Sequence, residues 1–367
     1  MISRSQDGHA LRFAVATSTV SGLLVVVISA IFGRAVRSDI FTRATLPWVL
    51  ATLPWALIAS GSLMLVQRKR IFRQRSNRIF LMVPAFSQKH WVAELIRDIH
   101  DDLDRRGYDL VIKIPDRDYS GTSQIRLLEK IARDKFEYTG GLIVANKVAQ
   151  TQENLVRFCE HVPFPVIFVD VEPFEREEQY PPRTAFVGYD ARKIGSLAAD
   201  WLVGYLRRQH VKRPRVLVIT GDAHAERQLE FCRSLRAEMH DVKIVEDSAD
   251  FDRLRAREVA RMQLRRLAGG GQQFHAVFCT NDEMALGVVD ALLFSDSETV
   301  GITVVIGVDG TPQARALIDA GPSPLRATVA QDAAKIAEIT AELLEKMIKN
   351  EKVPKLTRLT GDIVARD

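Results

Sequence analysis

Residues 276–287 read AVFCTNDEMALG, an apolar run that ends in Thr-Asn-Asp and passes directly into a helix-compatible segment. Such a stretch is typical of a parallel β-strand that carries polar side chains to a ligand crevice at its carboxyl end. At this tip we expect Asp282 to cap the helix and Asn281 to offer a carbonyl acceptor and an amide donor. The stretch therefore predicts an α/β fold with a ligand site at the strand tips.

The same arrangement recurs after two other apolar runs. Residues 303–308 are followed by DGTP at 309–312, and residues 166–169 are followed by Asp170. Three carboxylate or amide tips suit a polyhydroxylated ligand, because each can exchange hydrogen bonds with neighbouring hydroxyl groups. One such tip alone would more often be a plain helix cap, whereas three together favour a binding site.

Short apolar runs alternate with amphipathic helical patterns from Arg78 onward, which predicts βαβ units and parallel sheets. The predicted strands are 79–83, 109–114, 141–145, 166–169 and 184–188 in a first series, and 215–220, 242–246, 276–280, 303–308 and 325–330 in a second. Two successive series of similar size predict two lobes that face each other across a cleft.

Several of these motifs also occur in a known family. They are AER (225–227), ADFDR (249–253), NDEMALG (281–287), GVDGTP (307–312) and ATVAQ (327–331). In this order they resemble the type I periplasmic binding proteins, most closely the ribose-binding branch, whose fold is shared by the ligand cores of LacI-type repressors. The resemblance covers the chain from about Arg78 to its C-terminus. It implies an α/β fold of two Rossmann-like lobes with parallel sheets, and a cleft that binds a sugar-type ligand.

The resemblance further implies where the chain crosses between the lobes. Carried over, the first lobe comprises 78–187 and 331–355, the second comprises 188–330 and 356–367, and residues 1–77 precede both. Crossings near Gly188, Gln331 and Val353 would form a hinge. Such a hinge lets a ligand close the lobes and thereby turns binding into a conformational signal.

Matched position by position, the resemblance implies a pocket formed mainly by the second lobe. The implied ligand-binding residues are Asp170, Arg227, Phe251, Asn281, Asp309 and Gln331. Arg227 matches an arginine whose guanidinium group can donate in parallel to ring and hydroxyl oxygens, and Phe251 matches an aromatic that covers an apolar sugar face. From composition alone, Arg227 would be a surface residue of a helix and Phe251 an ordinary core residue.

The first lobe departs from the pattern of the ribose branch at two places. Val171 stands where that branch has arginine directly after its aspartate. The loop SQKHW at 87–91 replaces an asparagine and paired aromatics, with Trp91 as one stacking surface and Gln88 or Lys89 in place of the amide. The pattern therefore leaves the ligand open: a different pentose, a hexose, a modified sugar, or a sugar acid that reaches Lys89 would fit.

Two uncharged apolar stretches, 13–33 and 44–67, precede the α/β part of the chain. Each has the roughly 20 residues needed to cross a bilayer, which predicts a transmembrane hairpin with spans at about 13–33 and 46–66. A signal peptide is the weaker alternative, because the first stretch exceeds the usual apolar core of about 7–15 residues and a second stretch follows. Pro54 could keep the second stretch from spanning.

Basic residues around the two stretches favour a cytoplasmic location for the large domain. Two precede the first stretch, three lie between the stretches, and six follow the second between Arg68 and Arg78. Eight flanking positive charges against three place both ends inside at the inner membrane, whereas a second stretch that does not span would leave the domain in the periplasm. The basic run after the second stretch fits an anchor on anionic lipid better than a nucleic-acid site.

Other functional classes find little support in the sequence. Of its 367 residues 47% are hydrophobic, and the three cysteines, Cys159, Cys232 and Cys279, show no metal or disulfide spacing. The histidines are isolated, and no serine or cysteine lies in a nucleophile elbow, so we expect neither an enzyme nor a metal or cofactor site. Direct DNA binding would need a helix-turn-helix where the apolar stretches lie.

The sequence therefore predicts a membrane-tethered binding protein or sensor for a small carbohydrate-like ligand. Two alternatives remain open. One is a signalling or interaction protein with a degenerate cleft, which would act on a transporter or another signalling partner. The other is a conventional periplasmic receptor of a sugar ABC transporter.

Overall fold

The computed structural model describes residues 77–85, 90–146, 148–221, 224–268, 272–293 and 303–366. They belong to one compact unit, Arg75–Asp367. The expected membrane spans at 13–33 and 46–66 lie outside the described residues, and so does Lys89. Among the helices that are described, none combines the length and the apolar character needed to cross a membrane.

The first lobe is built on a six-stranded parallel sheet. Its strands are β1 (Arg78–Met82), β2 (Asp109–Lys113), β3 (Gly140–Ile143), β4 (Val166–Val169), β5 (Thr184–Tyr189) and β11 (Leu356–Leu359), in the order β11-β5-β4-β3-β1-β2. Its helices are α1 (His90–Arg105), α2 (Gly121–Arg133), α3 (Val148–His161) and α9 (Ala333–Ile348). The strands from β5 to β1 are almost entirely buried, as expected for apolar runs in a parallel sheet that helices cover.

The second lobe repeats this plan. Its strands are β6 (Arg215–Thr220), β7 (Lys243–Ser248), β8 (Ala276–Cys279), β9 (Val304–Asp309), β10 (Leu325–Ala330) and β12 (Asp362–Ala365), in the order β12-β10-β9-β8-β6-β7. Its helices are α4 (Ala191–Arg208), α5 (Ala225–Glu238), α6 (Arg253–Ala268), α7 (Asp282–Leu293) and α8 (Pro312–Ala320). All described pairings in this sheet are parallel except that of β12 with β10, which is antiparallel.

The tail of the chain differs from the expected lobe boundary. Residues 356–367 were expected in the second lobe, but Leu356–Leu359 pairs in parallel with β5 and belongs to the first sheet. The strand covers the outer edge of β5, where the N–H of Asp190 donates to the carbonyl oxygen of Leu359 over 2.9 Å. The third crossing between the sheets therefore lies at 360–361 instead of near Val353, because the sheet edge is completed before the chain changes lobe.

Close helix pairing fixes the position of the helix that carries Arg227. A Cβ atom on Gly195 of α4 would lie only 2.2 Å from the backbone oxygen of Arg227 in α5. The two helices therefore pack with their backbones in direct contact. A second pair follows the same rule, because a Cβ atom on Gly287 of α7 would lie 2.2 Å from the backbone oxygen of Arg253 in α6.

Candidate ligand-binding cleft

A cleft lies at the carboxyl ends of the strands of both sheets, between the two lobes. Seven of the eight residues predicted from the sequence line it: Trp91, Asp170, Arg227, Phe251, Asn281, Asp309 and Gln331. The eighth, Lys89, is outside the described residues. The cleft holds about 740 Å³ of space that no atom fills, including the solvent at its mouth. The structure thus brings the predicted residues together, because parallel strands present their carboxyl ends at one edge of each sheet.

Arg227 is the centre of a buried polar network in this cleft. Only 3% of the residue is exposed, so it is not the surface arginine that composition alone favours. Its Nη1 donates to the carbonyl oxygen of Thr280 over 3.0 Å, and its Nη2 donates to Oε1 of Gln331 over 3.3 Å. Gln331 in turn donates from Nε2 to Oδ1 of Asp309 over 2.9 Å. The network therefore links α5 to the tips of β8, β9 and β10.

One guanidinium group serves two carboxylates from opposite lobes. Arg227 lies 4.0 Å from Oδ1 of Asp170, which follows β4, and 4.0 Å from Oδ1 of Asp309, which ends β9. Burial raises the pKa of Asp309 well above its ordinary value, and the charge of Asp282 raises it further, while Arg227 opposes both. Burial also lowers the pKa of Arg227. Burying such groups costs free energy unless they form hydrogen bonds with each other or with a ligand.

Three residues that line the cleft each have one buried polar atom without a hydrogen-bond partner among the described residues. The atoms are Nε1 of Trp91, Oδ1 of Asp170 and Nε of Arg227. Buried polar groups are almost always hydrogen-bonded in folded proteins, so each of these atoms calls for a partner. Two are donors and one is an acceptor, which a ligand with hydroxyl groups can satisfy because a hydroxyl both donates and accepts.

Several cleft residues have a backbone in the left-handed region. The φ angles are +66° at Asp170, +61° at Phe251, +114° at Asp309 and +53° at Tyr119. For residues other than glycine such conformations cost on the order of 1–3 kcal/mol, and they cluster at functional sites. Three of these four residues are among those predicted to bind the ligand. The strain therefore falls at the tips of the strands that face the cleft.

The capping role expected for Asp282 falls to Asn281 in the structure, and Asn281 lines the cleft as predicted. Oδ1 of Asn281 accepts the N–H of Met284 over 3.0 Å, so Asn281 caps α7 and its amide nitrogen is the group that it can offer to a ligand. Asp282 is fully buried and accepts from the N–H of Thr311 and from Oγ1 of Thr328, each over 2.7 Å. Asn281 is the cap because the helix already starts at Asp282, which makes Asn281 the residue before the first turn.

His224 is a cleft residue that the sequence did not reveal. Its Nε2 lies 3.3 Å from Oδ2 of Asp170, and its ring meets that of Phe251 edge-on with centroids 6.0 Å apart. Burial lowers the pKa of His224, and the nearby charge of Arg227 lowers it further. The imidazole is therefore neutral near pH 7, with the Nε2 proton directed at the carboxylate. The one available signal was its place between β6 and the AER motif, which spacing rules for histidine do not detect.

A family model described as the periplasmic binding protein domain matches residues 79–352. The chain belongs to the periplasmic binding protein family. It is 27% identical to the ribose import binding protein of Escherichia coli K12 over 256 residues, which are 69% of this chain and 78% of that protein. It is 30% identical to the D-allose-binding periplasmic protein of the same organism over 189 residues, which are 50% of this chain and 58% of that protein.

Solved structures show the same fold. A periplasmic solute-binding protein from Actinobacillus succinogenes 130z with bound D-allose superposes with a TM-score of 0.68 at 21% sequence identity, covering 78% of this chain and 97% of that protein. The family predicted from the motifs at the strand tips is thus confirmed, together with its two α/β lobes. The relatives named here are binding proteins.

The two walls of the cleft differ in polarity in this periplasmic binding protein. On the second lobe the lining includes Arg227, Asn281, Asp309 and Gln331. On the first lobe the described lining is apolar apart from His90, Trp91 Nε1, the Tyr119 hydroxyl and the Asp170 side chain, and it consists mainly of Leu81, Val83, Pro84, Trp91, Val92, Leu95, Ile96, Val144 and Val171. The departures noted in the sequence at Val171 and around Trp91 are part of this wall.

Proposed function

We propose that the cleft binds a small carbohydrate-type ligand, a monosaccharide or a derivative of one, and that the two lobes close on it. The observation that carries this proposal is the set of buried atoms without partners, Nε1 of Trp91, Oδ1 of Asp170 and Nε of Arg227. They come from both lobes and line one cleft. A ligand that bridges them satisfies both walls at once, which favours closure. The allose- and ribose-binding relatives support a sugar as the ligand.

The charges of the cleft favour an uncharged ligand. Arg227 lies at equal distance from the Asp170 and Asp309 carboxylates, so its charge is shared within the protein. Glu283 adds a further acid to the lining. An anion would approach these carboxylates, and a cation would approach the guanidinium group. Hydroxyl groups avoid the like-charge repulsion that either ion would meet, and they can still bond to the donors and acceptors of the cleft.

Ligand screening with the full-length protein in detergent tests the proposal. We expect one or more sugars of a broad monosaccharide panel to raise the melting temperature. A ligand at 100 times its Kd adds about 2.7 kcal/mol to the free energy of unfolding. Trp91→Phe keeps an aromatic ring but removes Nε1, and it should reduce this effect. Trp201→Phe is the matched control, because Trp201 stacks on Tyr205 of α4 and does not line the cleft.

The outcome that contradicts the proposal is a panel in which no sugar raises the melting temperature of the parent protein. An equal shift in Trp91→Phe and in the parent would contradict the role given to Nε1. Because Phe is smaller than Trp, the substitution can also lower the stability of the unliganded protein, so the Kd of each variant is needed besides its melting temperature. Calorimetric titration supplies this comparison directly.

The membrane context belongs to the same proposal. We place spans at 13–33 and 46–66, with the cleft domain on the cytoplasmic side as an internal sensor, on the strength of eight flanking positive charges against three. A fluorescent reporter fused after residue 367 should be active, and alkaline phosphatase at the same position should be silent. The opposite result would favour the receptor of a sugar transporter in the periplasm.

A further inference from the structure

We infer that the ligand is an uncharged carbohydrate with one apolar edge, such as a 6-deoxyhexose or an alkyl glycoside, and not a sugar that is hydroxylated all round. The inference rests on the proposed function and narrows its ligand class. It follows from the different chemistry of the two walls of the cleft. The polar edge would face Arg227 of the second lobe together with Asp170, and the apolar edge would face α1 of the first lobe.

The polar edge of the ligand would meet hydrogen-bonding groups that are already held in place. Arg227 is held by Thr280 and Gln331, so its guanidinium group is fixed before a ligand arrives. Nε of Arg227 has no hydrogen-bond partner among the described residues, and neither has Oδ1 of Asp170. This Oδ1 lies 4.0 Å from Nη2 of Arg227. Adjacent hydroxyls on one edge of a sugar can accept from this Nε and donate to this Oδ1. This side of the cleft therefore selects a hydroxylated edge.

The apolar edge would meet the part of the first-lobe wall formed by α1 and the neighbouring strand tips, where the described side chains offer few hydrogen-bonding groups. Six first-lobe side chains define it here: Val83, Trp91, Val92, Ile96, Val144 and Val171. The single polar atom in these six side chains is Nε1 of Trp91. Residues 91, 92, 95 and 96 lie on one side of α1, because positions three and four apart share a face of a helix. A hydroxyl group placed against this face would lose its water partners without replacement, whereas a methyl group would gain contact.

Matched sugar pairs provide the test. L-fucose and L-galactose, L-rhamnose and L-mannose, and D-quinovose and D-glucose each differ only by a methyl group in place of a hydroxymethyl group. We expect that the pair of the correct stereochemistry binds to the full-length protein, and that its deoxy member has a Kd about tenfold lower or more. Isothermal titration of all six sugars measures this ratio, and methyl glycosides of the hydroxylated members extend it to O-alkyl groups.

A variant links the preference to α1. Val92→Thr keeps the shape of the side chain but adds a hydroxyl to the apolar wall, so it should lower the ratio of the two Kd values. Val156→Thr is the control, because Val156 is a half-buried valine on α3 that does not line the cleft. Each ratio is taken within one variant, so a partly unfolded fraction does not change it.

The possible results separate the inference from the proposed function. Equal or tighter binding of the hydroxylated members would overturn the inference and leave the sugar-binding function intact. A Val92→Thr ratio equal to that of the parent would overturn the assignment of the apolar edge to α1. Absence of binding by every sugar and glycoside would overturn both.

Discussion

Nε2 of His224 lies 3.3 Å from Oδ2 of Asp170, and this contact joins the second lobe to the first. Asp170 follows β4, whereas His224 directly precedes α5. Both residues line the inner cleft and also an outer groove that Glu172 and Arg192 help to form. The pair therefore stands between the ligand cleft and the groove. Asp170 has a second partner across the lobes in Arg227, 4.0 Å away.

We predict that His224→Leu loosens the closed arrangement of the lobes. The substitution removes the proton that His224 directs at Asp170 and leaves that carboxylate with one partner across the cleft. The radius of gyration of the unliganded protein should increase in X-ray scattering, and the Kd of the best sugar should rise about tenfold, as for loss of a hydrogen bond to a charged group. His240→Leu, at an exposed position, is the control. An unchanged radius and Kd would contradict the prediction.

We predict that Asp309→Asn stabilises the unliganded protein at pH values above about 4. Burial, with the charge of Asp282, raises the pKa of Asp309, so the folded protein keeps a proton that the unfolded chain has released. The contribution of this group to stability is therefore present at low pH and falls as the pH rises through the raised pKa. Asparagine does not titrate and still accepts from Nε2 of Gln331.

The stability difference between Asp309→Asn and the parent should accordingly grow as the pH rises from about 4, near the ordinary pKa of aspartate. Urea unfolding at a series of pH values measures it. Asp319→Asn, on the exposed side of α8, is the control. A difference that does not depend on pH would contradict the raised pKa of Asp309.

Substitution by alanine should change the free energy of unfolding in opposite directions at two glycines of α4. Gly195→Ala would place a Cβ atom 2.2 Å from the backbone oxygen of Arg227, so α5 must move and carry Arg227 with it. We expect a loss of about 1–3 kcal/mol in the free energy of unfolding, together with weaker sugar binding. Gly204→Ala meets nothing closer than 3.5 Å and should gain up to about 1 kcal/mol from helix propensity. Similar effects of the two substitutions would contradict the close packing of α4 on α5.

Arg227→Met should strongly destabilise the protein at neutral pH. It removes the cation between Asp170 and Asp309 and leaves the carbonyl oxygen of Thr280 without its guanidinium donor. Loss of one partner from a buried ion pair costs about 3–5 kcal/mol. Arg157→Met, whose side chain is exposed and pairs with exposed Glu153, should cost less than about 1 kcal/mol. Chemical denaturation measures both, and equal losses would contradict the central role of Arg227.

The strands and the residues at their tips were accessible to sequence reasoning. The predicted runs at 166–169, 215–220 and 325–330 match β4, β6 and β10 at both ends, because an apolar run bounded by polar residues marks a buried parallel strand. Asp170 and Asp309 then follow as tips, and parallel pairing brings tips of one sheet together. The rule works because it depends on local sequence and on a general property of parallel sheets.

The features that depend on contacts between the lobes were not accessible in this way. His224 has no motif of its own, and its role comes from a carboxylate that lies 54 positions earlier, at Asp170, on the other lobe. The buried position of Asp282, which was expected only to cap a helix, depends on Thr311 and Thr328, which β9 and β10 bring close. Strand β11 reads LTRL and is only partly buried, so its sequence does not reveal which sheet it joins.

Strand β11 also has a consequence for how the protein is made. Leu356–Leu359 completes the first sheet beside β5, and Asp362–Ala365 completes the second beside β10. During synthesis, the outer edges of β5 and β10 therefore stay unpaired until residues 356–365 have left the ribosome. Open strand edges invite pairing with other chains. A chain truncated before this segment would therefore leave β5 of the first lobe and β10 of the second uncovered at the same time.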